Sequence, residues 1–104
     1  MRLQNKVAIV TGASLGIGSA IAKRFGREGA KVAVNYLKSE NSANDVVREI
    51  TSAGGTAKSF KADISKVPDI EQLTKEVLHE WGNVDILVNN AGVFRTVPVL
   101  ETTE

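Results

Sequence analysis

A chain of 104 residues holds at most one domain, and 42% apolar with 24% charged residues suits a soluble globular fold. Its thirteen basic and twelve acidic side chains are scattered and nearly cancel to +1, which argues against nucleic acid or an anionic membrane as partner. With no cysteine and one histidine, disulfides, thiolate metal sites, cysteine nucleophiles and multi-histidine metal centres are excluded.

The N-terminal residues lead directly into a strand, without the apolar core of a signal peptide. No apolar run approaches the roughly 20 residues of a bilayer span. The expected compartment is the cytoplasm. Val7-Ala8-Ile9-Val10 is continuously apolar, the pattern of a parallel strand buried on both faces. The glycine-rich segment Thr11-Gly12-Ala13-Ser14-Leu15-Gly16-Ile17-Gly18 follows and opens a helix predicted over 16–28. Ile17, Ala20, Ile21 and Phe25 form its expected core face, and Gly29 stops it.

A second strand is predicted over 31–35. A second helix over 40–53 carries Ala43, Val46, Val47 and Ile50 at i, i+3, i+4 and i+7. Residues 56–62 read as a weaker strand at a sheet edge, because Lys58 and Lys61 break its apolar character. The third helix begins after Ser65, with Pro68 in its first turn and Asp69 and Glu71 early. Its expected buried stripe is Ile70, Leu73, Val77, Leu78 and Trp81, and Gly82 closes it. Residues 84–88 are the fourth strand.

Strand–helix alternation of this kind predicts an α/β fold with a doubly wound parallel sheet. Right-handed crossovers favour the strand order 3-2-1-4. In such a sheet a ligand crevice opens beyond the carboxyl ends of strands one and four, where the order reverses. The glycine segment leaves strand one there, and Asn89-Asn90-Ala91-Gly92 leaves strand four. A phosphate at a helix N-terminus meets unpaired backbone N–H groups and the positive end of the helix dipole. Gly12 would permit the tight turn, Gly16 the close approach of a pyrophosphate, and Gly18 close packing of helix on strand. Helix capping and packing alone are the competing explanation.

The spacing T-G-x-x-x-G-x-G, with Asp63-Ile64 after strand three and Asn89-Asn90-Ala91-Gly92 after Val84-Asp85-Ile86-Leu87-Val88, resembles the short-chain dehydrogenase/reductase family. The resemblance covers nearly the whole chain and looks closest to 3-oxoacyl-carrier-protein reductases and glucose dehydrogenases. It implies a Rossmann-like fold and an NAD(P)-dependent oxidoreductase moving hydride between a nicotinamide and a carbonyl or alcohol substrate. The implied cofactor contacts are Gly12, Ser14, Leu15, Gly16, Ile17, Gly18, Tyr36, Lys38, Asp63, Ile64, Asn90, Ala91 and Gly92, with no metal ligand. Asp63 would face the adenine and Ile64 would contribute a backbone contact. Without a ligand role, Asp63 would cap the next turn and the asparagine pair would fix a bend.

An acidic residue at the end of strand two accepts hydrogen bonds from the ribose of NAD and repels a 2′-phosphate. Asn35-Tyr36-Leu37-Lys38 holds no carboxylate, which leans towards NADP over NAD. Lys38 is either the phosphate partner or an ordinary solvated lysine. NADP-binding relatives often carry a basic residue where this chain has Leu15 or Leu37. Tyr36 is expected to flank the adenosine, His79 to be exposed and Trp81 to be core.

In this family a Ser and a Tyr-x-x-x-Lys pair carry the hydride-transfer chemistry. Tyr36 is the only tyrosine and the residue four after it is Glu40, so no catalytic residue can be assigned. The expectation is a truncated, incomplete cofactor-binding domain over 1–104, inactive alone, whose substrate requires a C-terminal remainder. A dinucleotide-binding module without catalysis, or a structural remnant, is the alternative. The bare outer edge of strand four would favour self-association or pairing with that remainder.

Overall fold

The computed structural model describes residues 3–13 and 16–89. The apolar run at the start becomes strand β1 (Val7–Val10), every residue of it buried. The remaining elements follow as α1 (Gly16–Arg27), β2 (Lys31–Tyr36), α2 (Glu40–Ser52), β3 (Thr56–Lys61), α3 (Val67–Trp81) and β4 (Ile86–Val88). All strand pairings are parallel, and the order is β3-β2-β1-β4, the predicted Rossmann-like arrangement. Register sets Val10 beside both Val34 and Val88, so β1 and β4 end level and β2 runs two residues further, to Tyr36.

Two apolar clusters sandwich the sheet. One unites Val10, Val32 and Val34 with Ala22 of α1 and Ala43, Val46 and Ile50 of α2. The other sets Val7, Ile9, Ala33 and Phe60 against Leu73 and Val77 of α3. Thus α1 and α2 cover one face and α3 the other, as successive right-handed crossovers on either side of β1 require.

Two predicted helix faces need correction. α1 buries Gly18, Ala22 and Gly26, while Ile17 is 72% exposed and Ala20 is exposed. Ile21 and Phe25 flank the contact, only partly buried. A Cβ on Gly26 would stand 2.7 Å from Ile50 Cγ2, so α1 approaches its neighbour too closely for larger side chains at i, i+4 and i+8. On α3, Leu73 and Val77 are buried, Ile70 and Trp81 partly so, and Leu78 is 43% exposed. Leu78 follows Val77 by one residue, about 100° around the helix, and leaves the stripe that faces the sheet.

The predicted edge strand is an edge. Lys58 of β3 reaches Glu80 of α3 at 2.9 Å and lies 5.9 Å from the Phe60 ring centre, so its stem covers apolar surface while its charge stays solvated. β4 pairs from Ile86 rather than from residue 84. Ahead of that ladder, Asp85 N–H donates to the Val7 carbonyl at 2.8 Å and Asp85 Oδ2 accepts from Val7 N–H at 2.9 Å. A carboxylate there takes the place of a strand carbonyl. Asn83 Nδ2 holds it with bonds of 3.0 Å to both oxygens.

Candidate functional site

Because β1 and β4 end level while β2 continues to Tyr36, the residues that follow β1 emerge between the start of the β4 loop and the last residues of β2. Thr11 N–H donates to the Val88 carbonyl at 2.9 Å, and its hydroxyl stands 3.2 Å from that oxygen and 3.3 Å from Asn89 Oδ1. On the other side, Ala13 N–H donates to the Asn35 carbonyl at 3.0 Å, and Gly12 N–H donates to Asn35 Oδ1 at 3.1 Å. The glycine segment is therefore tied on its two flanks before α1 begins.

Gly12 and Gly16 have φ of 61° and 58°, in the left-handed region that costs residues with a Cβ about 1–2 kcal/mol. A Cβ built on Gly16 meets no described atom within 4 Å, so none of the described residues keeps a side chain or a ligand from that position. The first-turn amides of α1, at Gly16, Ile17 and Gly18, point out of the helix without intrahelical acceptors. No acidic residue occupies that turn, whereas Arg24 and Arg27 sit at the opposite end. The dipole's positive end is left for an anion. Gly18 is buried, in keeping with its expected packing role. Ser14, Leu15, Asn90, Ala91 and Gly92 lie outside the described residues.

The second wall comes from β2 and β3. Tyr36 is half-buried against the α1–α2 side of the core, and Lys38 is exposed just beyond it. Asp63 and Ile64 follow β3, both partly exposed. Asp63 Oδ1 accepts the Ser65 hydroxyl at 2.6 Å and the Ser65 amide at 3.0 Å, while its own N–H donates to Asp69 Oδ2 at 3.0 Å. These bonds form the capped turn expected of Asp63 without a ligand, with Lys66 Nζ 4.0 Å from the other oxygen. The Ser65 hydroxyl above all, then its amide, hold the Asp63 carboxyl below the usual aspartate range. Partial burial opposes the shift, and the charges of Lys66 and Lys38 add to it. Lys38 thus stands within electrostatic reach of Asp63, linking two of the expected contacts.

Asn35 is the site residue that sequence reasoning missed, having been read only as a position without a carboxylate. It is 2% exposed. Its Oδ1 faces Gly12 N–H, and its Nδ2 faces the carbonyls of Phe60 at 3.4 Å and Ala62 at 3.2 Å. Only this amide orientation matches donors with acceptors. A lone polar residue closing the apolar run Val32-Ala33-Val34 was the available signal.

His79 is exposed on α3, and Trp81 packs edge-on against Phe60 with ring centres 6.1 Å apart and planes at 71°. Neither joins the site. Among the described residues no three His, Asp or Glu side chains converge as metal ligands, and no helix is long and apolar enough to cross a membrane.

A family model described as short chain dehydrogenase matches residues 6–104. An uncharacterized oxidoreductase of Methylorubrum extorquens is 46% identical over 99% of the chain, which spans 42% of that relative. A dehydrogenase/reductase structure from Sinorhizobium meliloti is 48% identical with a TM-score of 0.85, matching 97% of this chain and 40% of its own. A short chain dehydrogenase from Burkholderia cenocepacia in complex with NADP is 45% identical with a TM-score of 0.85, matching 93% and 40%. The chain spans about 40% of the length of the curated relatives it matches.

Proposed function

The chain belongs to the short-chain dehydrogenase family, and from that premise we propose that its residues form the cofactor side of an NAD(P)-dependent oxidoreductase. The observation that carries the reading is the open space at Gly16, where a left-handed glycine begins α1 and a Cβ would enter a volume no described atom fills. In this reading the α1 N-terminus, with Gly12, Ser14, Leu15, Gly16, Ile17 and Gly18, would hold the pyrophosphate. Tyr36, Asp63 and Ile64 would hold the adenosine, and Asn90, Ala91 and Gly92 would line the groove towards the nicotinamide. A bound nicotinamide supplies the acceptor or donor for a hydride exchanged with an alcohol or carbonyl carbon.

NADP is the preferred dinucleotide. Asn35 is buried, and the exposed positions after it, Leu37 and Lys38, bring a positive charge and no carboxylate. The neighbouring acid, Asp63, has its charge offset by Lys66 and Lys38. The NADP complex of the Burkholderia cenocepacia relative supports this choice.

Residues 1–104 hold no Tyr-x-x-x-Lys pair, so turnover would need a serine, tyrosine and lysine from outside them, and these residues alone would be inactive. The compartment is the cytoplasm. β4 is the last strand of the described sheet on its side, and its free edge would pair with a second copy or with further chain. Calorimetric titration with NADP and NAD, alongside turnover of a carbonyl panel, tests the whole reading. The expected result is dinucleotide binding, tighter for NADP, without turnover. Binding of neither dinucleotide would overturn it, and tighter NAD binding would overturn the cofactor choice.

A further inference from the structure

Asn35 stands between the two halves of the groove and contacts the backbone of both. Its Oδ1 accepts from Gly12, in the glycine segment, and its Nδ2 donates to Phe60 and Ala62, the latter directly preceding Asp63. Its own carbonyl also accepts from Ala13. Asn35 is 2% exposed, so loss of its amide takes a donor from the buried Phe60 and Ala62 carbonyls and an acceptor from the part-buried Gly12 N–H, where water enters only with local opening.

A carboxylate of the same shape would still accept from Gly12. Ionised, it would also face two carbonyl oxygens with no proton to give. The position therefore requires a group that accepts on one side and donates on the other. Glycine segments with two left-handed residues have many alternative conformations, and such a clamp removes them.

We propose that Asn35 is the positioning residue of this groove: it presets the glycine segment for a pyrophosphate and couples its placement to the Asp63 turn. The proposal rests on the dinucleotide reading of the site. It assigns Asn35 no contact with the ligand, so its loss weakens NADP and NAD alike, unlike loss of a 2′-phosphate contact.

The test compares wild type, N35A, N35D and N44A in the protein at a temperature where circular dichroism shows each folded. Asn44 is a partly buried asparagine that accepts a 3.2 Å bond from the Ser59 hydroxyl on the α2–β3 contact, and it controls for stability loss alone. N35A is expected to weaken both dinucleotides about tenfold or more, while N44A leaves affinity within about twofold. N35D gives a signature that general destabilisation does not. Burial and the two carbonyls raise the pKa of an aspartate there, and its neutral form both donates and accepts. NAD affinity of N35D, relative to wild type, should recover as pH falls from 8 to about 5.5.

A readout without ligand separates this proposal from the functional reading. Amide exchange at Gly12 and Ala13 should quicken in N35A and not in N44A. Unchanged exchange at Gly12, or equal dinucleotide affinity in N35A and wild type, overturns the role of Asn35. Absence of binding in the wild type overturns instead the reading of the groove.

Discussion

Gly26 and Ile50 meet so closely that a methyl group on Gly26 would lie 2.7 Å from Ile50 Cγ2 and 3.2 Å from Cγ1. Ile50 is 4% exposed and is pressed from a second side by Gly55, where a Cβ would stand 2.9 Å from the same methyl. The two glycines therefore set the distance between α1 and α2, and with it the position of α1 over the sheet.

Gly26→Ala is expected to lose about 1–3 kcal/mol to overpacking and to recover up to about 1 kcal/mol of helix propensity. Chemical denaturation should show a net destabilisation of about 1–2 kcal/mol. The double variant Gly26→Ala/Ile50→Ala should cost less than the sum of its parts, because the alanine methyl enters the space left by isoleucine. Additive losses would show that the two residues do not compete for that space.

Asp85 closes the sheet where the β4 ladder has not yet begun, and Val7, whose N–H it accepts, is 2% exposed. Asp85→Ala leaves that donor unsatisfied and should cost about 1–3 kcal/mol. Asp85→Asn keeps an acceptor oxygen and should cost less. Denaturation midpoints of the two variants, measured with unchanged m-values, check the order.

The Asp63 carboxyl is held below its usual range chiefly by the Ser65 hydroxyl. An unfolded aspartate titrates near ~3.9. The turn's contribution is thus present in full above that pH and is lost as pH falls through the lower folded value. Carboxyl carbon shifts followed by NMR should place Asp63 below an ordinary aspartate, and Ser65→Ala should move it upward. An Asp63 that titrates like an unstructured aspartate would remove the turn as its anchor.

Lys38 is exposed and near Asp63, so in the proposed reading its contribution to a 2′-phosphate would be a screened, surface interaction. Lys38→Ala should weaken NADP about three- to tenfold at low salt, less at high salt, and leave NAD unchanged. An equal loss for both dinucleotides would assign Lys38 to the structure of the groove rather than to the extra phosphate.

Much of the fold was legible because period and punctuation agree along the chain. The run Val7 to Val10 is apolar throughout, and the strand it forms is buried on both faces and central in a four-stranded sheet. Lys58 marked β3 as an edge, and β3 is one. The places where the reading failed share a cause. Periodicity counts large apolar residues, and α1 packs instead through Gly18, Ala22 and Gly26, whose value is the volume they lack. Ile17, read as core, is 72% exposed in the first turn of α1. Leu78 carries the right hydrophobicity one residue off the contact line.

By itself the sequence determined the strand order, through alternation and crossover handedness, and the meeting of the Thr11–Gly18 segment with Asn89 at one end of the sheet. These follow from local preferences and chain connectivity, which neighbouring residues encode. Only the tertiary structure decided that Asn35 is buried across Gly12, Phe60 and Ala62, residues 23, 25 and 27 positions away. A hydrogen-bond partner so distant in the chain is chosen by the packing of three segments at once, and no pattern within one of them records it.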